Sequence, residues 1–318
     1  MEKRKLGNSD LQITRVGLGA WAIGGSWRWG WGAQDDGDSV TAIRKAIDLG
    51  VNWIDTAAVY GLGHSEEVVG AAIKEMPASE KPYIFTKCGL CWDGDGGAAR
   101  EAFGRLKAKS VREEAENSLR RLGVEAIDLY QIHWPDPNAD IEEAWGEMAK
   151  LKAEGKVRFI GVSNHSVKQM ERLRKIAPVT SLQPPYNFIN RAVEKDILPY
   201  CGQNHIGVIV YSPMGSGLLT GKMTPERIAS LPDDDWRKQD YNYTEPRLSE
   251  NLKIAEAMNA LARKKSVPTA QISIAWTLRN PAVTAAIVGM RNPSQAEETA
   301  GAADIALTDE DVAELERA

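Results

Sequence analysis

The sequence predicts an α/β protein built as a closed barrel of eight parallel strands, and three observations carry that prediction. Eight short runs rich in β-branched residues recur along the 318 residues, at 16–21, 51–55, 83–87, 127–133, 157–163, 180–184, 206–211 and 283–289. They are continuously apolar rather than alternating, the pattern of parallel strands buried on both faces. Between them lie longer amphipathic stretches, so strand and helix alternate throughout. Eight such units over roughly 300 residues fit one (β/α)8 TIM barrel, a single domain spanning 1–318, with a doubly wound open sheet as the competing arrangement.

The helices follow in chain order. Val40, Ile43 and Ile47 share one helical face ahead of Gly50, a residue suited to ending a helix. Ser110-Val-Arg-Glu113 reads as a capping box, in which serine and glutamate satisfy each other's free backbone N–H groups at a helix start. Val111, Ala115, Leu119 and Leu122 continue that helix on one face, and Gly123 is placed to close it. Thr308-Asp-Glu-Asp311 opens a short terminal helix in the same style. Two long connections break the rhythm, 88–109 after the third strand and 212–249 after the seventh. In a barrel both emerge at the C-terminal face, where barrel enzymes place their active sites.

Composition excludes several classes of partner. Lys and Arg total 39 against 44 acidic residues, a net charge of −5, which leaves no basic excess for nucleic acid or an anionic membrane. No apolar run reaches the ~18 residues of a transmembrane helix, and no apolar stretch of a signal peptide follows the charged start MEKRKLGNSDLQ. Three cysteines make no disulfide framework, so a reducing, cytoplasmic setting is expected. The sequence does not set an oligomeric state. Ten tryptophans against four phenylalanines are the one compositional oddity.

Most motifs fail on context. Gly17-Leu-Gly19-Ala-Trp21-Ala22 matches the relaxed dinucleotide pattern, but the glycine- and tryptophan-rich stretch from Gly24 to Gly32 cannot supply the helix that pattern requires. Gly215-Ser216-Gly217-Leu-Leu-Thr-Gly-Lys222 narrowly misses a P-loop and still reads as a phosphate cradle. Cys88-Gly-Leu-Cys91 supplies only two ligands, and His64, His133, His165 and His205 lack metal-binding spacing, so no metal is expected. The two cysteines read as loop thiols beside a pocket.

The constellation that survives lies at strand ends. The second strand ends on Asp55, with Tyr60 just beyond; the third ends on Lys87 and the fourth on His133. Barrel geometry brings all three ends to one rim. A tyrosine is a poor acid at neutral pH, but an ammonium beside it favours the phenolate. Asp55 would hold Lys87 charged, and a neutral His133 would donate a hydrogen bond to a carbonyl. The group suits protonation of a carbonyl oxygen as hydride reaches the carbon.

With these residues the sequence resembles the aldo-keto reductase superfamily over nearly its whole length. The likeness runs through Val16-Gly-Leu-Gly-Ala-Trp21, Asn52-Trp-Ile-Asp-Thr-Ala-Ala-Val-Tyr-Gly61, Phe85-Thr-Lys87, Asp128-Leu-Tyr-Gln-Ile-His133, Gly155-Lys-Val-Arg-Phe-Ile-Gly-Val-Ser-Asn164, Gln183-Pro-Pro-Tyr-Asn187, the stretch from Tyr211 to Lys222, and Val288-Gly-Met-Arg-Asn-Pro-Ser-Gln295. Its Leu-Leu-Thr-Gly-Lys ending looks like the branch of bacterial general stress reductases and potassium-channel β-subunits.

The resemblance implies reduction of a small aldehyde or ketone by NADPH, with NADH as the lesser alternative and Tyr60 as proton donor. By the same likeness Ala20 and Trp21 border the cofactor with Asp55, and Ser163, Asn164 and Gln183 grip the nicotinamide carboxamide. Tyr211 stacks on the nicotinamide ring, and Ser212, Pro213, Met214, Gly215, Ser216 and Gly217 with Lys222 hold the pyrophosphate. Gly289, Arg291, Gln295 and Glu298 take the adenosine 2′-phosphate end, with a helix beginning near Ser294. Thr299 stands where the family often has asparagine. The tryptophans then acquire a place: Trp21, Trp92 and Trp134 ring the substrate mouth beside Tyr60 and His133, with Trp27, Trp29 and Trp31 on the adjoining loop. A slowly turning redox-sensing β-subunit-like protein and a sugar-phosphate lyase or isomerase are the competing readings.

Overall fold

The computed structural model describes residues 1–93, 102–136, 141–233 and 235–318. Eight strands close into an all-parallel barrel: β1 (Val16–Gly19), β2 (Trp53–Asp55), β3 (Tyr83–Cys88), β4 (Ile127–Ile132), β5 (Val157–Ser163), β6 (Ser181–Gln183), β7 (Gly207–Val210) and β8 (Ala285–Gly289). They neighbour one another in chain order, and β8 pairs with β1 through Ala286 and Val16 to close the ring. Each strand lies within or beside an expected apolar run, most with trimmed ends. The open sheet is excluded.

Residues alternate between two environments along each strand. Ile54, Ile84, Tyr130 and Ile132 face outward into the layer shared with the helices. Trp53, Phe85, Leu129, Ile209, Ala285 and Ile287 face inward and fill the lower barrel. A hairpin of Lys3–Lys5 and Gln12–Thr14, for which the sequence showed no signal, plugs the bottom with Leu6, Leu11 and Ile13. Gly17 is needed for this packing, because a Cβ there would lie 2.0 Å from the Trp53 ring. That accounts for a glycine the dinucleotide pattern also contains. After β1 the chain enters a short 3-10 turn, Ala22–Gly24, not a phosphate-binding α-helix.

The helices are α1 (Asp36–Asp48), α2 (His64–Ile73), α3 (Ala108–Leu122), α4 (Ile141–Ala153), α5 (Val167–Arg174), α6 (Ile197–Gln203), α7 (Pro225–Ala229), α8 (Arg247–Lys265), α9 (Thr269–Arg279), α10 (Pro293–Ala300) and α11 (Asp309–Glu316). The expected cap at Ser110 is not there. Helix α3 begins three residues earlier than that cap implies, at Ala108, where the Glu143 carboxylate of α4 accepts from the Ala108 N–H at 2.9 Å. A partner from the neighbouring helix thus caps the end, and Ser110 lies inside with its hydroxyl on Glu114 at 3.2 Å. Gly123 closes α3 in the left-handed conformation, and the Thr308/Asp311 box opens α11, both as expected.

The long connections are folded segments. Within 88–109, Leu90–Cys91 pairs with Phe103–Gly104, while 94–101 lies outside the described residues. The 212–249 segment carries three 3-10 turns and α7 over its own apolar cluster of Leu218, Met223, Ile228, Tyr243 and Leu248. Among the described residues no helix is long and apolar enough to cross a membrane.

Candidate active site

Asp55 and Lys87 leave β2 and β3 on the inward face, one step above Trp53 and Phe85, and are 2% and 1% exposed. Taking two ions out of water costs several kcal/mol each unless their bonding is complete. Here it is. The Lys87 ammonium donates to Asp55 Oδ1 at 2.6 Å, the Thr56 carbonyl at 2.8 Å and the Tyr60 hydroxyl at 3.3 Å, using all three protons. The other carboxylate oxygen, Asp55 Oδ2, accepts from Gln183 Nε2 at 2.8 Å and Gln131 Nε2 at 3.4 Å.

Tyr60 sits on the turn after β2, held by backbone packing against the first loop. Gly61 has φ 61°, and a Cβ there would lie 2.1 Å from the Gly24 carbonyl oxygen, so only glycine allows the approach. The Tyr60 ring meets the His133 ring edge-on at 5.6 Å, and Trp27 covers another side at 6.1 Å. Burial works against the Lys87 ammonium, but Asp55 and Tyr60 hold its pKa above the ordinary lysine value. Burial, reinforced by the Lys87 charge, pushes His133 well below the usual histidine range and keeps it neutral, as expected. For Tyr60, burial pushes the pKa upward and outweighs the Lys87 ammonium, which pulls toward the phenolate as the sequence suggested.

A second group lines the rim from β5 to β7. The Ser163 hydroxyl and Asn164 N–H both donate to the Gln183 carbonyl, at 2.8 and 3.1 Å. Asn164 adopts φ 60° and accepts from the Tyr211 hydroxyl at 2.9 Å while donating to the His133 carbonyl at 3.1 Å. His165, with no assigned role, is buried with its Nδ1 on the Ser163 carbonyl at 2.7 Å.

Beyond Tyr211, positive φ angles at Ser212, Gly215, Ser216 and Gly217 wind the chain tightly. The Tyr243 hydroxyl sits against the Gly215 and Ser216 carbonyls at 3.0 and 2.8 Å, tying up oxygens that would repel a phosphate. Lys222 pairs with Glu298 at 2.6 Å across the gap to α10. Pro213 accepts from Ser273 at 2.8 Å, and Met214 packs against the main core. Gly289 ends β8 with open space where a Cβ would be. Asn292 caps α10 by accepting the Gln295 N–H at 3.0 Å, confirming a helix start beside Ser294. Arg291 donates to Gln34 Oε1 at 2.7 Å and the Ala33 carbonyl at 3.3 Å, while its own N–H goes to Gln295 at 2.8 Å. Thr299 donates to the Gln295 carbonyl at 2.7 Å.

The tryptophans divide. Trp21 packs against Trp31 at 5.6 Å and against Trp236 at 6.1 Å, and Arg237 lies over Trp31 at 4.6 Å. Ala20 donates its N–H to the Asp55 carbonyl at 2.8 Å, bringing Trp21 to the rim. Trp134 is exposed, as is Trp29. The Trp92 ring lies under the Arg121 guanidinium of α3 at 6.0 Å. Trp236 and Arg237, which sequence reasoning missed, reach the cluster from a position some 200 residues further along the chain and left no local signal.

Gln131 did leave one: a polar residue inside an apolar run, in phase with His133. The cysteines are free. Burial pushes the Cys91 thiol up to about 11 and Cys88 up as well, so both stay protonated. No cluster of metal-ligating side chains exists among the described residues.

Known proteins resemble this chain in sequence and in fold. The family model described as the Aldo/keto reductase family matches residues 15–318. The chain is 39% identical over 312 residues to Aldo-keto reductase YhdN of Bacillus subtilis (strain 168), covering 98% of this chain and 91% of that protein. It is 33% identical over 321 residues to the NADH-specific methylglyoxal reductase of Escherichia coli (strain K12), covering 98% and 96%. The solved structure of the glycerol dehydrogenase AKR11B4 from Gluconobacter oxydans superposes with a TM-score of 0.91 at 40% identity, covering 99% of this chain and 94% of that one. Together with the barrel and its strand-end cluster, these matches place the chain in the aldo/keto reductase family, as a carbonyl-reducing oxidoreductase that uses a nicotinamide cofactor.

Proposed function

We propose that the protein reduces a small aldehyde or ketone to its alcohol with NADPH, and that Tyr60 donates the proton. The observation that carries this reading is the unbroken chain from Asp55 through Lys87 to the Tyr60 hydroxyl, at 2.6 and 3.3 Å. A bound reduced nicotinamide supplies the hydride. The rim has the groups to hold such a cofactor: the Ser163, Asn164 and Gln183 cluster, the Tyr211 ring, the 212–217 turns with their carbonyls tied up, and Lys222. The Arg291 guanidinium beside the N-terminus of α10 suits a 2′-phosphate, which supports NADPH over NADH.

The upward shift at Tyr60 has a mechanistic use. A proton donor must hold its proton before reaction, and a phenol desolvated by the surrounding walls does so at neutral pH. Lys87 then stabilises the phenolate left behind, each pKa unit of preference corresponding to about 1.4 kcal/mol. Neutral His133 places no second cation beside Lys87 and offers a ring N–H to orient the carbonyl. Trp27 shields Tyr60 from water, and the Trp21, Trp31 and Trp236 cluster supplies an apolar wall for the substrate.

The test follows NADPH consumption across an aldehyde panel in wild type and Tyr60→Phe. Turnover falls by about 10² to 10⁴ if the phenol is the acid. Turnover within a few-fold of wild type removes Tyr60 from that role.

A further inference from the structure

We propose that Gln131 is a positioning residue for the reduction, acting through Asp55 and Gln183 without touching substrate or cofactor. The proposal rests on the reading of Tyr60 as the acid. Gln131 lies on β4 and is fully buried, and strand alternation puts it on the inward face between Leu129 and His133. An amide buried in a barrel core is costly unless its donors and acceptor are met. Gly161 on β5 packs beside it: a Cβ there would clash with the Ser181 hydroxyl at 2.3 Å and lie in ordinary contact with Gln131 Cγ at 3.4 Å.

Its two amide atoms make different bonds. Gln131 Nε2 faces Asp55 Oδ2 at 3.4 Å, and Gln131 Oε1 accepts from Gln183 Nε2 at 3.3 Å. Gln183 Nε2 also donates to Asp55 Oδ2 at 2.8 Å, so two amides and one carboxylate oxygen form a closed triangle.

Two consequences follow. First, the amide donors fix the Asp55 oxygen that Lys87 does not use, which holds Asp55 Oδ1 against the Lys87 ammonium beside Tyr60. Second, the Gln183 NH2 group is committed on both sides. Gln183 therefore presents its side-chain oxygen Oε1, for which no protein partner exists among the described residues. Gln131 thus links the pair that tunes the acid to the cluster proposed to hold the cofactor.

Loss of the Gln131 bonds loosens the Asp55 carboxylate that orients Lys87, and with it the support for the Tyr60 phenolate. The effect is sharpest in alcohol oxidation, where the phenolate is the working form. The acid-side limb of kcat for oxidation, where the rate rises as Tyr60 ionises, then moves to higher pH.

The experiment records pH profiles of kcat and KM with NADP+ and a panel of primary alcohols including glycerol. It uses wild type, Gln131→Met, which keeps the volume without the amide, and Gln131→Asn, which keeps the amide but shortens its reach. Both variants should move the limb upward by about half a unit or more, lower kcat at neutral pH about 3- to 10-fold and leave the alcohol KM within two-fold. A limb that stays put in both variants, or loss of the fold in both, overturns the proposal, since Gln131 then only fills or holds the barrel. Tyr60→Phe in the same assay separates the two readings. If that variant keeps the acid-side limb, the acid assignment fails; if it loses turnover while the Gln131 variants leave the limb in place, only the role of Gln131 fails.

Discussion

Two levels of the barrel interior stand one inward step apart on the same strands, and both are buried. The lower holds Trp53, Phe85 and Leu129, packed on the plug of Leu6, Leu11 and Ile13. The upper holds Asp55, Lys87 and Gln131, the next inward positions on β2, β3 and β4. Lower-level side chains lose nothing by leaving water, and each adds stability. Upper-level groups are expensive to bury and persist because Lys87 uses every proton and Asp55 fills both oxygens. Burial alone therefore does not separate structure from function in this barrel. What separates them is whether the hydrogen bonding of a polar group is complete and ends at an atom open to the rim, as it does at the Tyr60 hydroxyl.

That contrast can be broken in four ways. Replacing the ion pair as a unit, Asp55→Asn with Lys87→Met, should reduce turnover by about 10² to 10⁴ while thermal unfolding changes little or improves. A large loss of stability would show that the upper level also holds the barrel together. Leu129→Ala is the mirror case. Truncation should cost about 2–5 kcal/mol in denaturant unfolding, with kcat per folded molecule unchanged.

Glu114 on α3 sharpens the point, because its bonding is less complete. It is 8% exposed, accepts from the Gly89 N–H at 2.9 Å and Ser110, and burial pushes its pKa from 4.5 up to about 7. The folded state therefore binds this proton more tightly than the unfolded state. The resulting stability is complete below pH ~4.5 and lost as pH rises through about 7. Glu114→Gln should gain up to about 3 kcal/mol over wild type between pH 5 and pH 8, read from unfolding curves at both values. A pH-independent difference would mean that Glu114 does not titrate in that range. The smallest effect is expected at the outer rim. Arg291→Ala should weaken NADPH about 10-fold, near 1.4 kcal/mol, and NADH much less, by tryptophan fluorescence titration. Equal losses would remove Arg291 from the 2′-phosphate site.

Periodicity made most of the fold legible. All eight strands were readable because an apolar run of five to seven residues reports burial whatever the neighbours are. The plug was not, since three-residue strands of Lys3–Lys5 and Gln12–Thr14 carry no period. Ser110 misled because a capping box is a local pattern, whereas the donor at Ala108 is satisfied by Glu143, 35 residues away. At the site, Asp55, Tyr60, Lys87 and His133 stood out as polar residues at or just past strand ends. Gln131 was readable by the same alternation but lay inside a run counted as apolar. Trp236 and Arg237 were unreadable, because they reach Trp21 and Trp31 only through the folded 212–249 segment.

By itself the sequence determined the order and kind of the elements, the barrel, and the residues at its rim. Those properties follow from side-chain spacing along one strand or helix, which the chain carries with it before it folds. Tertiary structure decided which oxygens and nitrogens met and which way the balance fell. Gln183 reaches Asp55 from 128 positions away, and the Tyr60 proton is held because the packed walls desolvate the phenol more strongly than Lys87 attracts the phenolate. Desolvation and hydrogen-bond closure depend on everything within a few ångströms, and in a barrel most of that comes from other strands.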